Sequence, residues 1–213
     1  MKNIFLIILT IITFKVIGQN NLLGVKVGSN FTNINSRNFS SQNNTKTGLS
    51  AGLTFEFLIQ KHFSLGMDLI YNQLGFSDDI LFSDNQGNIT GEKNTTTFNY
   101  DYVSLPIKSG FNIGNKLYGF SNIGIVPSIL VNASTTMLNE KYDVTNRVSK
   151  FDFAGLIEIG GGYKFRDRYW LFTSFSYQQS FTTITNSNYF ANSKISHYGM
   201  TFNLGLKYAL TKE

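Results

Sequence analysis

The sequence predicts an all-β fold, an eight-stranded antiparallel up-and-down barrel, on three observations. Aromatic residues make up 15% of the chain and charged residues also 15%, which is too aromatic for disorder and too poor in charge for a typical soluble helical protein. Eight segments alternate apolar and polar residues with the period of a β-strand. The connections between these segments alternate between long and short. A chain of 213 residues suits one such domain.

The first 18 residues read as a secretory signal peptide. Lys2 gives a positive start, residues 4–14 form an almost unbroken apolar run, and Val16-Ile17-Gly18 fits a cleavage site. A membrane anchor would need about 20 apolar residues, and Lys15 interrupts this run. We therefore expect cleavage before Gln19 and a barrel domain over 19–213.

The first four strand segments each place an apolar residue at every second position, with polar or small residues between. They span 23–31, 49–60, 63–72 and 102–111. Their apolar faces are Leu23, Val25, Val27 and Phe31; Leu49, Ala51, Leu53, Phe55, Phe57 and Ile59; Phe63, Leu65, Met67, Leu69 and Tyr71; and Val103, Leu105, Ile107 and Phe111.

The last four segments span 116–131, 151–165, 169–178 and 198–210, and the first of these alternates least clearly. The other three have apolar faces of Phe151, Phe153, Ile157, Ile159, Tyr163 and Phe165; Tyr169, Leu171, Phe175 and Tyr177; and Tyr198, Met200, Phe202, Leu204, Leu206, Tyr208 and Leu210. Pro106 and Pro127 lie inside the fourth and fifth segments, where a proline removes a ladder donor. We expect bulges or weakly paired positions there, or else an edge-like or broken strand.

The length of the strands and the alternation of short and long connections predict that the barrel crosses a membrane. The segments have about ten or more residues, as a tilted crossing requires. Short turns at 61–62, 113–115 and 166–168 alternate with long connections at 35–46, 79–99, 132–149 and 183–196. Outer-membrane barrels have this plan, with periplasmic turns and extracellular loops. We expect both termini in the periplasm, aromatic girdles at the interfaces, and function in the loops 79–99 and 132–149.

The polar face carries four basic and four acidic residues, too many for the apolar cavity of a soluble ligand carrier. They are Lys26, Glu56, Asp68, Lys108, Asp152, Glu158, Lys164 and Lys207. Eight strands enclose little space. We therefore expect these charges to pair with one another and fill the lumen, so that the barrel is largely plugged.

Four segments give the chain a family resemblance. These are Leu23-Gly24-Val25-Lys26-Val27-Gly28-Ser29-Asn30-Phe31, Tyr102-Val103-Ser104-Leu105-Pro106-Ile107, Gly160-Gly161-Gly162-Tyr163 and Gly205-Leu206-Lys207-Tyr208. Together they resemble the PorT-like outer-membrane β-barrel proteins of Bacteroidota. The resemblance spans the mature chain and implies a barrel in the outer membrane. Through PorT itself, it also implies a link to protein secretion.

Few residues suggest chemistry. The chain has no cysteine, which excludes thiolate metal sites, and its two histidines argue against a His-rich metal centre. We therefore expect no metal and no cofactor. Asp84-Asn85-Gln86-Gly87-Asn88 lacks the later carboxylate of a calcium loop. Ser196-His197 lies at the expected extracellular rim, where a lipid-modifying enzyme would use a serine and a histidine oriented by a carboxylate. No acidic residue is near it, so we predict no catalytic residues.

Three functions stay open at this point. The first is a non-enzymatic surface or secretion-accessory barrel, the second a small porin-like channel, and the third a lipid-modifying enzyme. The first is our prediction. Its partners would be outer-membrane lipid and an extracellular or secretion-system protein. The basic residues form no cluster that follows a phosphate backbone, so no nucleic acid is expected, and the barrel would be a monomer.

Overall fold

The computed structural model describes residues 21–36, 44–59, 62–83, 86, 89–166, 168–185 and 195–210. The predicted signal peptide and most of the Asp84-to-Asn88 turn lie outside them. The strands are β1 (Asn21–Ser36), β2 (Asn44–Leu58), β3 (Phe63–Ser83), β4 (Ile89–Ser104), β5 (Ile107–Gly114), β6 (Leu117–Met137), β7 (Glu140–Asp143), β8 (Phe151–Phe165), β9 (Tyr169–Ser180) and β10 (Ile195–Ala209). One 3-10 turn spans Thr145–Arg147.

The described strands close into an antiparallel ring. Each long strand pairs with its neighbours along the chain, and β1 pairs with β10 from Leu22↔Ala209 to Ser36↔Ile195. Because β4 and β5 occupy one place in the ring, between β3 and β6, and β7 pairs only with β6, the ring has eight members. This confirms the predicted all-β, eight-stranded antiparallel barrel.

The face that the pattern assigned to lipid lies on the outside of the ring. On β1, Leu23, Val25 and Val27 are each about half exposed, while Gly24 and Lys26 between them are buried. The same alternation runs through β8, β9 and β10. Exposed apolar side chains on every second position need an apolar solvent around them, which a bilayer supplies.

β3 and β6 extend well beyond their predicted segments. β3 and β6 each have 21 residues, about twice what a tilted crossing needs. Most of the predicted loop 79–99 is a continuation of β3 and β4, with pairs such as Asp79↔Thr95. The predicted loop 132–149 contains the end of β6, all of β7 and the 3-10 turn. Alternation does not find these parts because a strand beyond the membrane has no lipid-facing side to mark it.

The two prolines leave the pairing in register. Pro106 follows the end of β4, and its carbonyl accepts the amide of Asp68 at 2.9 Å. Pro127 lies within β6, and its carbonyl accepts the amide of Leu105 at 2.9 Å. Each position keeps its acceptor and lacks a donor, as proline chemistry requires. The expected alternative of a broken strand occurs at Pro106, since β4 ends at Ser104 and β5 begins at Ile107. The bulge in this region lies between Asp101 and Tyr102 on β4, opposite 130–132 of β6.

The two ends of the barrel differ. At the turn end, short connections join β2 to β3, β5 to β6 and β8 to β9, and the amide of Leu210 donates to the carbonyl of Asn21 at 2.8 Å. At the loop end, Leu138 and Asn139 have φ values of 51° and 65° between β6 and β7, a two-residue hairpin turn of the kind that favours Asn and Gly. No helix among the described residues is long and apolar enough to cross a membrane.

Candidate functional site in the barrel lumen

A chain of alternating charges crosses the middle of the lumen. The Lys26 ammonium lies 2.7 Å from Asp68 Oδ2, and the Lys108 ammonium lies 2.8 Å from the same oxygen. Lys108 also reaches Glu158 Oε2 at 3.0 Å. All four residues are buried, and they belong to β1, β3, β5 and β8. We call Lys26, Asp68, Lys108 and Glu158 the ion chain; its formal charges sum to zero.

The side-chain amide of Asn122 on β6 gives the Glu158 carboxylate a second hydrogen-bond donor. Its Nδ2 donates to Glu158 Oε2 at 2.7 Å. Two charge-assisted donors on one buried oxygen offset part of the cost of keeping that carboxylate out of water. Every charge of the ion chain thus has an opposite charge in contact, while Asp68 Oδ1 has no hydrogen-bond partner among the described residues.

The remaining predicted charges lie apart from the ion chain. Lys207 and Glu56 form their own hydrogen-bonded ion pair. The carboxylate of Asp152 accepts hydroxyl groups instead of an ammonium, from Ser180 at 2.8 Å and Thr182 at 2.6 Å. The Lys164 ammonium lies 3.7 Å from the centre of the Trp170 ring.

An apolar group fills the lumen towards the turn end. We call it the turn-end cluster, and its members are Leu22, Tyr118, Phe120, Trp170, Phe172 and Ala209. The Tyr118 and Trp170 rings lie 5.2 Å apart, and those of Phe120 and Phe172 lie 6.2 Å apart. The Lys207 ammonium lies 4.7 Å from the centre of the Phe172 ring, so the Lys207–Glu56 pair adjoins this cluster.

A second apolar group fills the lumen at the loop end. We call it the loop-end cluster, and its members are Ile34, Leu74, Phe76, Tyr100, Tyr102, Leu130, Ala133, Val148 and Ile184. Val148 and Ile184 come from the connections that follow β7 and β9, and both are buried. The amide of Ser149 donates to the carbonyl of Ile184 at 2.8 Å. Two connections are thus bonded to each other and packed into the mouth of the barrel.

The structure also decides between inward and outward positions for the tyrosines. Tyr71, Tyr163, Tyr169 and Tyr177 are exposed on the outside, where an interfacial girdle would place them. Tyr102 is completely buried within the loop-end cluster and takes no part in an outer girdle.

The Ser196-His197 pair does not form a catalytic arrangement at the rim. His197 is 2% exposed and lies inside the lumen, with its ring 5.1 Å from that of Tyr100 and 6.0 Å from that of Tyr102. Ser196 precedes it on β10, so its side chain points to the opposite face of the sheet. Neither ring nitrogen of His197 has a hydrogen-bond partner among the described residues. The nucleophile–base contact that acyl chemistry needs is absent from this pair.

The loop end carries polar hairpins outside the mouth. On the β3–β4 hairpin, Thr95 Oγ1 donates to Asp79 Oδ1 at 2.8 Å. Beyond β7, the amide of Thr145 donates to Asp143 Oδ1 at 2.8 Å, and this bond lowers the pKa of the Asp143 carboxyl below its ordinary value. Such contacts order the projecting backbone. No group of three or more metal-ligating residues occurs in the part of the chain that the structure describes.

Sequence reasoning found the charged residues and missed the two clusters. Trp170 and Phe172 stand at inward positions of the alternating pattern, yet a pattern does not say that they meet Tyr118 and Phe120 across the lumen. Val148 is one of few apolar residues in a polar stretch. An isolated apolar residue in such a loop is the signal that it packs back onto the domain.

Comparison with known proteins agrees with this architecture. A family model described as an outer membrane protein beta-barrel domain matches residues 18–186. A search of curated protein sequences finds no match. Among solved structures, Neisserial surface protein A is similar with a TM-score of 0.50 and 10% identity, covering 87% of this chain and 96% of that one.

Two further solved structures are similar over most of the chain. OprG from Pseudomonas aeruginosa has a TM-score of 0.49 and 10% identity, covering 91% of this chain and 96% of that one. Ail, the attachment invasion locus protein of Yersinia pestis, has a TM-score of 0.45 and 9% identity, covering 89% of this chain and 99% of that one. At such identities the likeness concerns the fold alone.

Proposed function

Because the chain belongs to the family of outer membrane β-barrel proteins, we propose that it is a non-enzymatic surface-binding barrel with a closed lumen. The observation that carries this proposal is the filling of the lumen in three layers. The turn-end cluster, the ion chain and the loop-end cluster follow one another along the barrel axis. An open water path would have to displace packed rings at both ends and break buried ion pairs between them.

The binding part of the proposal rests on the loop-end hairpins. Strands committed to lipid and lumen have little surface left for a partner, while projections on a rigid scaffold are free to bind. The β3–β4 and β6–β7 hairpins extend the barrel wall as paired backbone. Binding to hairpins that are already ordered costs less conformational entropy than binding that must first order a loop. Their hydroxyl and carboxylate groups suit a polar partner, such as an extracellular protein or one of a secretion system.

The lack of enzymatic activity is part of the same proposal. Support comes from the opposite faces of Ser196 and His197 and from the apolar rings around His197. A lipid-modifying enzyme would need both groups at the membrane surface, with a carboxylate to orient the base.

A finer assignment is to the PorT-like branch, with a role in protein secretion. It rests on the four sequence segments named above, which the structure distributes over β1, the β4–β5 junction, β8 and β10. Deletion of the gene tests it, because a secretion accessory would be needed for export of other proteins. A deletion strain with normal protein secretion would exclude this role and leave surface binding open.

Planar-bilayer recording tests the closed lumen. The purified barrel should give no steady conductance, whereas the double variant Phe120→Ala/Phe172→Ala should give more openings because two of the rings that fill the turn end are removed. The matched control is Phe175→Ala, a lipid-facing change on the same strand as Phe172. Steady nanosiemens conductance from the unaltered protein would refute the closed lumen.

Hairpin trimming tests the surface-binding role. Replacing residues 79–95 by a four-residue turn should leave the heat-modifiable gel shift of a folded barrel intact, because the crossing part of β3 and β4 remains. It should also abolish the phenotype that deletion of the gene produces. A trimmed barrel that complements the deletion fully would show that the activity lies in the lumen or on the periplasmic side.

A further inference from the structure

We propose that the turn end carries a binding surface for the headgroups of anionic phospholipids. We call it the tyrosine–cation patch. It occupies one side of the barrel, where the ends of β6, β8, β9 and β10 lie next to one another. Its members are Tyr163, Tyr169, Tyr208, Lys116, Arg166 and Arg168. The proposal does not depend on whether the lumen conducts.

The tyrosines form the part of the patch that faces the bilayer. Tyr169 is paired with Tyr208 in the β9–β10 ladder, and their rings meet edge to face at 5.4 Å. Tyr163 lies on the neighbouring strand, paired with Leu171. On the other side of the same rim, the exposed outward residues include the apolar Phe57, Phe63 and Ile113 and no tyrosine among the described residues. The amphipathic rings are therefore gathered on one side, at the level where headgroups begin.

The cations lie against these rings. The Lys116 ammonium is 5.5 Å from the centre of the Tyr163 ring. Arg168 Nη1 donates to the Tyr208 hydroxyl at 2.6 Å. Arg166 is exposed in the turn between β8 and β9. In the sequence Asp167 separates Arg166 from Arg168, so the formal charge of Lys116 and residues 166–168 taken together is +2.

The backbone at Arg166 adds a second and independent observation. Its φ is 54°, in the left-handed region where Gly, Asn and Asp are favoured and a long side chain is uncommon. Such strain occurs preferentially at functional sites. The turn between β8 and β9 does not itself require an arginine at this position. A surface that binds anions does gain from the cation, which gives a reason for the strained residue.

The position of the patch identifies the anion. Its rings lie at the end of the apolar outer wall, next to Leu117 and Leu210, which are themselves exposed. A lipid phosphate is held at this depth, with its acyl chains along the wall and its charge at the cations. A free anion in water would gain nothing from the rings. Each Lys or Arg near an anionic membrane surface contributes about 1 kcal/mol, which corresponds to about a fivefold change in affinity.

Lipid retention by the folded barrel tests the proposal. The protein is refolded into vesicles of phosphatidylcholine containing a minority of phosphatidylglycerol, extracted mildly, and its bound lipids are counted by native mass spectrometry. Both leaflets have the same composition, so the direction of insertion is immaterial. The unaltered barrel should retain phosphatidylglycerol in excess of its share. The triple variant Lys116→Gln/Arg166→Asn/Arg168→Gln should lose this excess.

The matched control removes the same charge from the other end. Lys141→Gln/Arg147→Gln/Lys150→Gln changes three exposed cations at the loop end and should keep the excess of phosphatidylglycerol. Equal loss in both triple variants would overturn the proposal, because it would reflect net charge alone. So would an unaltered barrel with no excess, or an excess that inorganic phosphate removes at constant ionic strength.

The single variant Arg166→Asn separates binding from folding. Asparagine tolerates the left-handed backbone better than arginine, so this variant should unfold in pure phosphatidylcholine at the same or a higher urea concentration. It should nevertheless reduce the excess of phosphatidylglycerol by about fivefold. A variant that keeps the whole excess would overturn the patch as described.

Discussion

The centre of the lumen and its two ends hold the same barrel together by different physics. In the centre, Lys26, Asp68, Lys108 and Glu158 depend on one another, since each charge is tolerated there only beside its partner. At the ends, the two apolar clusters gain stability in proportion to the surface they bury. In the centre, the free energy of unfolding should therefore fall when one partner of an ion pair is removed. At the ends, it should fall when a substitution reduces the volume of a buried apolar side chain.

The largest effect is expected from Glu158→Ala. It leaves the Lys108 ammonium with Asp68 alone and leaves the Asn122 amide without its acceptor. An unpaired buried charge costs about 3–5 kcal/mol, measurable by urea unfolding in lipid vesicles. The control Glu140→Ala removes an exposed carboxylate that contacts Tyr142 and should cost less than about 1 kcal/mol. Equal stability of Glu158→Ala and the unaltered protein would show that Glu158 is hydrated.

Phe172→Ala tests the turn-end cluster. Removing a buried ring from a packed group costs about 3–5 kcal/mol, at the lower end of this range where neighbours such as Phe120 can shift into the space. Phe175→Ala on the same strand faces lipid and should cost less, since lipid chains fill the gap. The same unfolding assay compares them. A larger loss for Phe175→Ala would mean that the outer wall, not the lumen, dominates stability.

Val148→Ala should act locally at the loop end. Two carbon atoms lost from a buried side chain correspond to about 1–2 kcal/mol, and Val148 belongs to a connection, not to the ring. We expect faster amide exchange at Ser149, which donates to Ile184, with little change in global unfolding. Leu138→Ala at the exposed hairpin tip is the control. Unchanged exchange at Ser149 would show that the hydrogen bond alone holds the connections together.

The smallest effect is expected from Tyr102→Phe. The Tyr102 hydroxyl is buried and has no hydrogen-bond partner among the described residues, so its removal should leave stability unchanged within about 0.5 kcal/mol or raise it slightly. Tyr208→Phe removes the hydroxyl that accepts Arg168 and should cost about 0.5–1.5 kcal/mol. A loss of more than 1 kcal/mol at Tyr102 would indicate that its hydroxyl has a bound partner.

Comparison of β10 with β3 shows how much of each strand the alternation of apolar and polar residues predicts. On β10 the predicted segment 198–210 and the observed strand Ile195–Ala209 nearly coincide, because buried and more exposed residues alternate along almost the whole strand. On β3 the predicted segment ended at 72, while the strand runs to Ser83. The additional residues pair with β4. They exceed the length that a crossing needs, so no bilayer imposes alternation on them. The alternation of apolar and polar residues therefore predicts the length of the lipid-facing part of each strand, and not the full length of the strand.

The sequence by itself determined the class of fold, the number of crossings and the face that meets lipid. A bilayer imposes this alternation on every crossing, so the information is local and can be read one strand at a time. It also predicted the polar face on which the four buried residues of the ion chain lie. Only the tertiary structure decided that Lys26 meets Asp68, 42 residues away, while Asp152 takes two hydroxyls. Contacts across a lumen depend on the stagger of all eight strands together, and no single segment carries that information.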